Sequence, residues 1–408
     1  GNPKGVKLTH KNIVSNLEGI RNSFPDINKI LNENDRTVSF LPWAHCYGQN
    51  CELNSTLVTG SSMYLSSGPD NLLNEMNHIK PTLLFSVPAL FNRMYDGVNK
   101  NMSESNIKKK LFDDAIQTGS KVKFEQSNFI HRFKYNLYDK YIFSKIREKL
   151  GGKLKHSFVG GASTPMEVLR FFEIINIPII EGYGLTETSP MITLGSLDYP
   201  ARKLGSVGKP LPENKVLILS KKLNISNSNI EGEIIASGPN IMSGYHKNKT
   251  ETESVFIKIG GKSYFKTGDI GYLDCQNRLY ITGRKKEQYK LENGKFVVPT
   301  ILEEKIILSP YIKQVLVYGE NRPYNIALIV PDTYLLNEDT DLNKLYTREI
   351  NLILEKNNTK SYEIPKDILL LDDELTVDNG FLTPKMSIKR NKVVEKYIDQ
   401  INQLYLKD

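Results

Sequence analysis

The stretch IIEGYGLTETSP, residues 179–190, decides the fold. Its first half is apolar and follows a proline, which predicts a short strand buried on both faces, as in a parallel sheet covered by helices. The Gly-Tyr-Gly that follows predicts a turn at the strand's carboxyl end, where open α/β sheets bind ligands. Gly182 and Gly184 let a flat ring approach the backbone, and Tyr183 offers an aromatic face. Thr186 can donate to a phosphate, and Glu187 is a hard oxygen ligand suited to Mg²⁺. A glycine turn with a helix cap produces the same letters, so the segment alone leaves both alternatives open.

Working outward, strands and helices alternate. The pattern predicts helices over 8–32, 50–59 and 70–79, the first capped by Thr9 with Ile13, Leu17 and Ile20 on one face. Strands are predicted over 36–42, 61–65 and 81–88. Residues 91–150 are long, helical and Lys-rich; strand 155–161, helix 165–175 and strand 177–180 resume the alternation. From 205 to 282 short β-segments are separated by Gly, Asn and Pro. Beyond Gly283 a second α+β pattern begins, with helices at 299–308 and 341–356. The class is therefore α/β, with a large unit over 1–283, a small α+β unit over 284–408 and a linker at 283–286.

In 408 residues, 39% are hydrophobic and 25% charged, which suits a globular protein and excludes disorder, collagen and a disulfide-stapled miniature. Three cysteines, Cys46, Cys51 and Cys275, are too few for a scaffold and point to a reducing compartment. That predicts an intracellular location, in the cytoplasm or on the cytosolic face of an internal membrane. No apolar run approaches the roughly 18 residues that span a bilayer, and residues 1–20 lack a signal-peptide core. The lysines behind the net charge of +8 read as scattered, which argues against nucleic acid and leaves a mild attraction to anionic substrates or an anionic membrane surface. The chain starts at Gly1 without an initiator Met, inside what looks like the tail of a loop, so an N-terminally truncated protein is expected.

Other motifs could carry chemistry. GNPKG at 1–5 is a glycine loop whose Lys4 can meet outer phosphates of a nucleotide. GGKS at 260–263 mimics a Walker loop, but the required glycine is Phe256. SFVGGASTP (157–165) can wall a purine or be a tight βα connection. In YFKTGDIGYLD (264–274) an exposed Asp269 can hold two ribose hydroxyls, or be an ordinary hairpin Asp. Arg284, Lys285 and Lys286 sit at the linker. His45, Cys46 and Cys51 fit no zinc spacing, and His45 reads as a loop residue at a pocket edge.

Taken in order, GNPKGVKLTH, LPWAHCYG, GGASTP, EGYGLTETSP, GEIIASGPNIMSGYH, YFKTGDIG, GRKKEQYKLENGKFVVP and FLTPKMSIKR resemble the adenylate-forming ligases: acyl-CoA synthetases, luciferases and adenylation domains. The set covers nearly all of the chain, and the 91–150 insertion resembles the long-chain fatty acyl-CoA synthetase branch. The resemblance implies a large domain whose N-terminal part is missing here and a small mobile C-terminal domain. It implies a fatty acid, ATP with Mg²⁺, and coenzyme A as substrates, with peripheral membrane association and no nucleic-acid partner. By the same resemblance Lys4 and Thr186 contact phosphates, Glu187 binds Mg²⁺, and Gly161, Ala162 and Tyr183, within the glycine stretch that includes Gly182 and Gly184, surround adenine. Asp269 and Arg284 reach the ribose, His45 flanks the acyl and thiol passage, Lys286 is the hinge and Gly294 lies near the pantetheine channel. The family's late catalytic lysine falls where this chain has Ser387, flanked by Lys385 and Lys389, either of which could substitute. The alternatives are a ligase for a medium-chain or aryl acid, and a catalytically impaired lipid-binding homologue.

Overall fold

The computed structural model describes residues 4–24, 31–68, 71–103, 105–199, 201–220, 225–226, 229–285, 287–332, 341–357, 359–382 and 388–406. Two compact units divide the chain, Gly1–Ile281 and Thr282–Asp408. The division falls inside one strand, Leu279–Arg284.

The first unit is built on a seven-stranded sheet. Strands β1 (Arg36–Ser39), β2 (Ser62–Leu65), β3 (Leu83–Ser86), β4 (His156–Val159) and β5 (Ile179–Gly184) lie in the order β2-β1-β3-β4-β5, all parallel. The antiparallel β6 (Met191–Leu194) and β7 (Lys209–Pro210) complete it. The continuous apolar run of β3 is buried at every residue, as a strand covered on both faces requires. Phe91 and Phe172 meet edge to face at 5.0 Å from two covering helices, α4 (Pro88–Ser103) and α8 (Met166–Ile174) in chain order. Each such buried side chain stabilises by about 1.5–3 kcal/mol.

The remaining helices of this unit are α1 (His10–Asn22), α2 (Ser55–Thr59), α3 (Leu72–Ile79), α5 (Asn106–Phe124), α6 (Phe129–Tyr138), α7 (Ser144–Lys149) and α9 (Lys249–Ser254). α1 ends at Asn22, well short of the expected residue 32, because Pro25 disfavours helix in the residue before it. The helix expected at 50–59 begins earlier, as π-turns over Tyr47–Asn54 that run into α2. A second, antiparallel sheet joins β8 (Lys215–Leu219), β9 (Ile225–Ser226), β10 (Gly232–Ser237), β11 (Phe256–Ile259), β12 (Lys262–Leu273) and β13 (Leu279–Arg284).

The second unit carries the hairpin β14 (Tyr289–Lys290) and β15 (Phe296–Val297) and the sheet β16 (Ile312–Tyr318), β17 (Ile326–Pro331) and β18 (Asp367–Leu370). One apolar cluster packs Tyr346, Ile350 and Leu354 of the helix Leu342–Lys356 against Val315, Val317 and Ala327. Among the described residues, no helix is long and apolar enough to cross a membrane.

Candidate active site

The Gly-Tyr-Gly of 182–184 is the end of β5, not a turn beyond it. Gly182 pairs with Leu194, Tyr183 with Thr193 and Gly184 with Met191. Gly184 is required by this pairing, since a Cβ there would lie 1.7 Å from the Pro190 carbonyl oxygen, whereas one on Gly182 would press only on the flexible end of Met191, 3.0 Å away. Protein therefore occupies the space that the sequence suggested for a flat ligand ring. The turn itself spans 185–190, where a short 3₁₀ segment, Thr186–Thr188, is closed by Leu185 N donating to Thr188 Oγ1 at 2.9 Å.

Asparagines hold that turn from outside. Asn50 Nδ2 donates to Ser189 O at 2.6 Å, and Asn240 Nδ2 to Thr188 O and Met191 O at 2.8 and 2.9 Å. Asn16 Nδ2 also reaches Met191 O at 2.7 Å, and Asn12 Nδ2 reaches Pro239 O at 2.7 Å. The fully buried positions of α1 are thus Asn12, Asn16 and Gly19, while Ile13, Leu17 and Ile20 are only half-buried. Periodicity counted on apolar residues alone missed these clamps. Four-residue spacing of Asn12 and Asn16 was the available signal.

Tyr183 and Asp269 meet. The Tyr183 phenol donates to Asp269 Oδ2 at 2.7 Å, with Tyr183 8% and Asp269 3% exposed. Asp269 is neither exposed nor in a hairpin turn. It lies in β12 where pairing with β10 slips, so that Thr267, Gly268 and Asp269 oppose Ile234. Such a bulge re-aims side chains, and Gly268 supplies its left-handed residue at φ +75°. Thr267 Oγ1 fixes it by donating to Ile234 O at 2.8 Å and accepting from Asp269 N at 3.1 Å.

Lys4 and Glu187 converge on a residue the sequence reading left unassigned, Tyr245. Its phenol donates to Glu187 Oε1 at 2.9 Å, and the Lys4 ammonium lies 5.2 Å from its ring centroid. Burial first, then the Glu187 charge, pushes the Tyr245 phenol well above its ordinary range, so it stays a donor. Lys4 also pairs with Glu251. A backbone ladder holds the segment: Lys7 N to Gly244 O at 3.0 Å, Ser243 N to Lys7 O at 3.1 Å and His246 N to Gly5 O at 2.7 Å. Tyr245 and Asn240 both fall in GPNIMSGYH, a motif visible in the sequence without an assigned role.

The loop LPWAHC closes a further side. Cys46 Sγ lies 3.5 Å from the exposed Thr186 hydroxyl, and His45 Nδ1 accepts from Tyr47 N at 3.2 Å. Tyr47 in turn donates to Phe158 O at 2.9 Å, just before Gly160, Gly161 and Ala162. Gly161 has φ +91° with open space where a side chain would stand, and Ala162 is exposed. Behind Tyr47 lies a cavity of about 30 Å³ lined by Ile20, Phe24, Phe85, Phe158 and Met191.

Of the candidates in the second unit, Arg284 O accepts from Glu287 N at 3.1 Å and Gln288 N at 3.2 Å. Gly294 turns the β14–β15 hairpin at φ +79° with open space above it. Lys389 precedes the helix Arg390–Lys396, its N–H donating to Phe381 O at 2.8 Å. Lys286, Lys385 and Ser387 lie outside the described residues.

The donor set of the first unit suits Mg²⁺: one carboxylate beside a hydroxyl is what this ion takes from protein when phosphates supply other ligands.

Residues 1–246 match the family model described as AMP-binding enzyme, and 286–408 match the AMP-binding enzyme C-terminal domain. The chain is 30% identical over 434 residues to "Long-chain-fatty-acid--CoA ligase FadD15" of Mycobacterium tuberculosis, covering 100% of this chain and 68% of the relative. It is 32% identical over 428 residues to "Long-chain-fatty-acid--CoA ligase 1" of Cavia porcellus, covering 99% and 59%. The A domain of carboxylic acid reductase from Segniliparus rugosus, solved with AMP and a co-purified carboxylic acid, superposes with TM-score 0.74 at 24% identity, over 100% of this chain and 60% of that one. o-Succinylbenzoate CoA synthetase of Bacillus subtilis, solved with its acyl-adenylate, gives 0.68 at 21%, over 96% and 66%.

Proposed function

This chain belongs to the AMP-binding enzyme family, with its α/β fold of a large N-terminal and a small C-terminal domain, and from that premise we propose that it activates a long-chain fatty acid with ATP and passes the acyl group to coenzyme A. A carboxylate oxygen attacks the α-phosphorus, pyrophosphate leaves, and a mixed anhydride with AMP remains. The coenzyme A thiol then attacks the acyl carbon, AMP leaves, and the thiol proton passes to solvent. The first step brings two anions together, so the protein's work is positioning and charge neutralisation.

The observation that carries the proposal is the meeting of Lys4, Glu187 and Tyr245 just beyond the end of β5, while Tyr183 on that strand engages Asp269. Bound Mg²⁺ would neutralise phosphate charge, and Glu187, steadied at one oxygen by Tyr245, would hold it. Thr186 donates to phosphate, and Lys4 exchanges Glu251 for a phosphate oxygen. Asp269 accepts from ribose hydroxyls, and Tyr183, Gly161 and Ala162 border the adenine, with Gly182 and Gly184 setting where Tyr183 stands. His45 flanks the acyl passage. In the second unit Arg284 reaches the ribose, Lys286 is the hinge, Gly294 borders the pantetheine channel, and Lys385 or Lys389 supplies the cation missing at Ser387. The long acyl chain is supported by relatives of modest identity that bear that substrate in their names.

The test is ATP–pyrophosphate exchange with palmitate, octanoate and benzoate. Palmitate-dependent exchange supports the proposal, and a preference for octanoate or benzoate overturns the chain-length part. Ser387 favours a second reading, an impaired lipid-binding homologue. Palmitate binding with no exchange for any acid would establish it, whereas exchange lost in Lys385→Ala or Lys389→Ala would exclude it.

A further inference from the structure

The net charge that reads as scattered along the sequence is concentrated in one segment. Residues 105–155 hold 13 Lys and Arg against five Asp and Glu, a balance of +8 that equals the charge of the whole chain. The other residues carry 41 of each sign. This segment contains α5 and α6, consecutive helices packed side by side and tied where Asp114 accepts from Lys134 at 3.0 Å and from Tyr138.

At about 100° per residue, Phe129, Ile130, Phe133 and Leu137 fall within roughly a 100° sector of α6. All four are exposed, Phe129 by 81%. The outward direction is set by Tyr135 on the far side, which is buried and donates to Ile174 O at 2.7 Å. Ile107, 80% exposed, and Leu111 are further exposed apolar side chains on the neighbouring α5. Arg132 and Lys134 border the sector, and Lys108, Lys109 and Lys110 are exposed beside Ile107. Asp139, another acid of the segment, is engaged by Arg147 at 2.6 Å. An apolar centre rimmed by cations is thus turned to solvent.

We propose that this face of α5 and α6 seats on an anionic lipid bilayer, with the aromatic and aliphatic side chains entering the headgroup boundary and the lysines facing acidic headgroups. A second copy of the chain would bring the same basic surface against it, with seven Lys and Arg to three Asp and Glu over Asn106–Tyr138, so charge opposes self-association there and favours a lipid surface. Its use in collecting a substrate dissolved in the bilayer rests on the long-chain reading. Binding itself does not, since it requires neither ATP nor fatty acid.

Flotation of the chain with vesicles of phosphatidylglycerol and phosphatidylcholine, against phosphatidylcholine alone, tests the surface. The chain should float with the anionic vesicles at low salt and be released by high salt. Phe129→Ser with Phe133→Ser, and separately K108E/K109E/K110E, should each lower the bound fraction by more than about tenfold. Because the substituted side chains are exposed, thermal melts should match the parent. Failure of the parent to float, or equal flotation of either variant, overturns the proposal. So does sedimentation showing a dimer that Phe129→Ser dissolves.

Discussion

The Tyr245 phenol holds Glu187 Oε1 at 2.9 Å, and the same ring lies under the Lys4 ammonium. One residue, 58 positions from its carboxylate partner, therefore orients both the acid proposed for Mg²⁺ and the cation proposed for phosphate. Tyr245→Phe keeps the ring and removes the donor. It should lower pyrophosphate exchange by roughly tenfold, with a raised Mg²⁺ requirement, at a stability cost of about 1 kcal/mol. Glu187→Ala should abolish exchange. Equal Mg²⁺ titrations for parent and Tyr245→Phe would remove the positioning role.

Tyr183 and Asp269 offer a coupled pair. A double-mutant cycle with Tyr183→Phe and Asp269→Asn, read by urea denaturation, should give an interaction of about 1.5–3 kcal/mol, as for a hydrogen bond to a charged group. Both single variants should raise the KM for ATP. Strict additivity would mean that the bond contributes nothing.

Two glycines should respond to alanine by different amounts. Gly184→Ala forces a Cβ to within 1.7 Å of the Pro190 carbonyl and should cost more than about 3 kcal/mol or prevent folding. Gly161→Ala enters open space and meets only the strain of φ +91°, about 1–2 kcal/mol. It should fold and chiefly raise the KM for ATP. Thermal melts of the pair check the contrast.

Glu52 predicts a pH dependence. Burial pushes its carboxyl up to about 7, although Ser39 Oγ donates to Oε2 at 2.8 Å, and Oε1 has no hydrogen-bond partner among the described residues. The native chain therefore binds this proton more tightly than the unfolded chain does. Its contribution to stability is full below about 4.5 and falls as pH rises through 7, by about 3 kcal/mol. Glu52→Gln should melt higher than the parent at pH 8, with the gap closing toward pH 5. Parallel melting curves across that range would show that the carboxylate is not carried at a cost.

Much of the fold was legible. Alternating strand and helix patterns predicted the parallel sheet, and short apolar runs such as 81–88 and 177–180 located its buried strands. The site was legible as separate pieces. Tyr183 and Asp269 were chosen for chemistry, but their bond was not foreseen, and Tyr245, Asn16, Asn50 and Asn240 were passed over. Each of these works through a partner distant in sequence, which local periodicity does not encode.

By itself the sequence determined the kinds and order of the elements and the family to which they belong. Helix and strand periods are local properties, and a collinear set of motifs survives without knowledge of contacts. Only the tertiary structure decided that 182–184 is strand rather than turn, because β6 must approach closely enough to exclude a side chain at Gly184. It alone placed Asp269 in a bulge and joined it to Tyr183 across 86 residues. A hydrogen bond is satisfied by whichever group the fold brings within about 3 Å, and that proximity is a property of the packed chain, not of either segment.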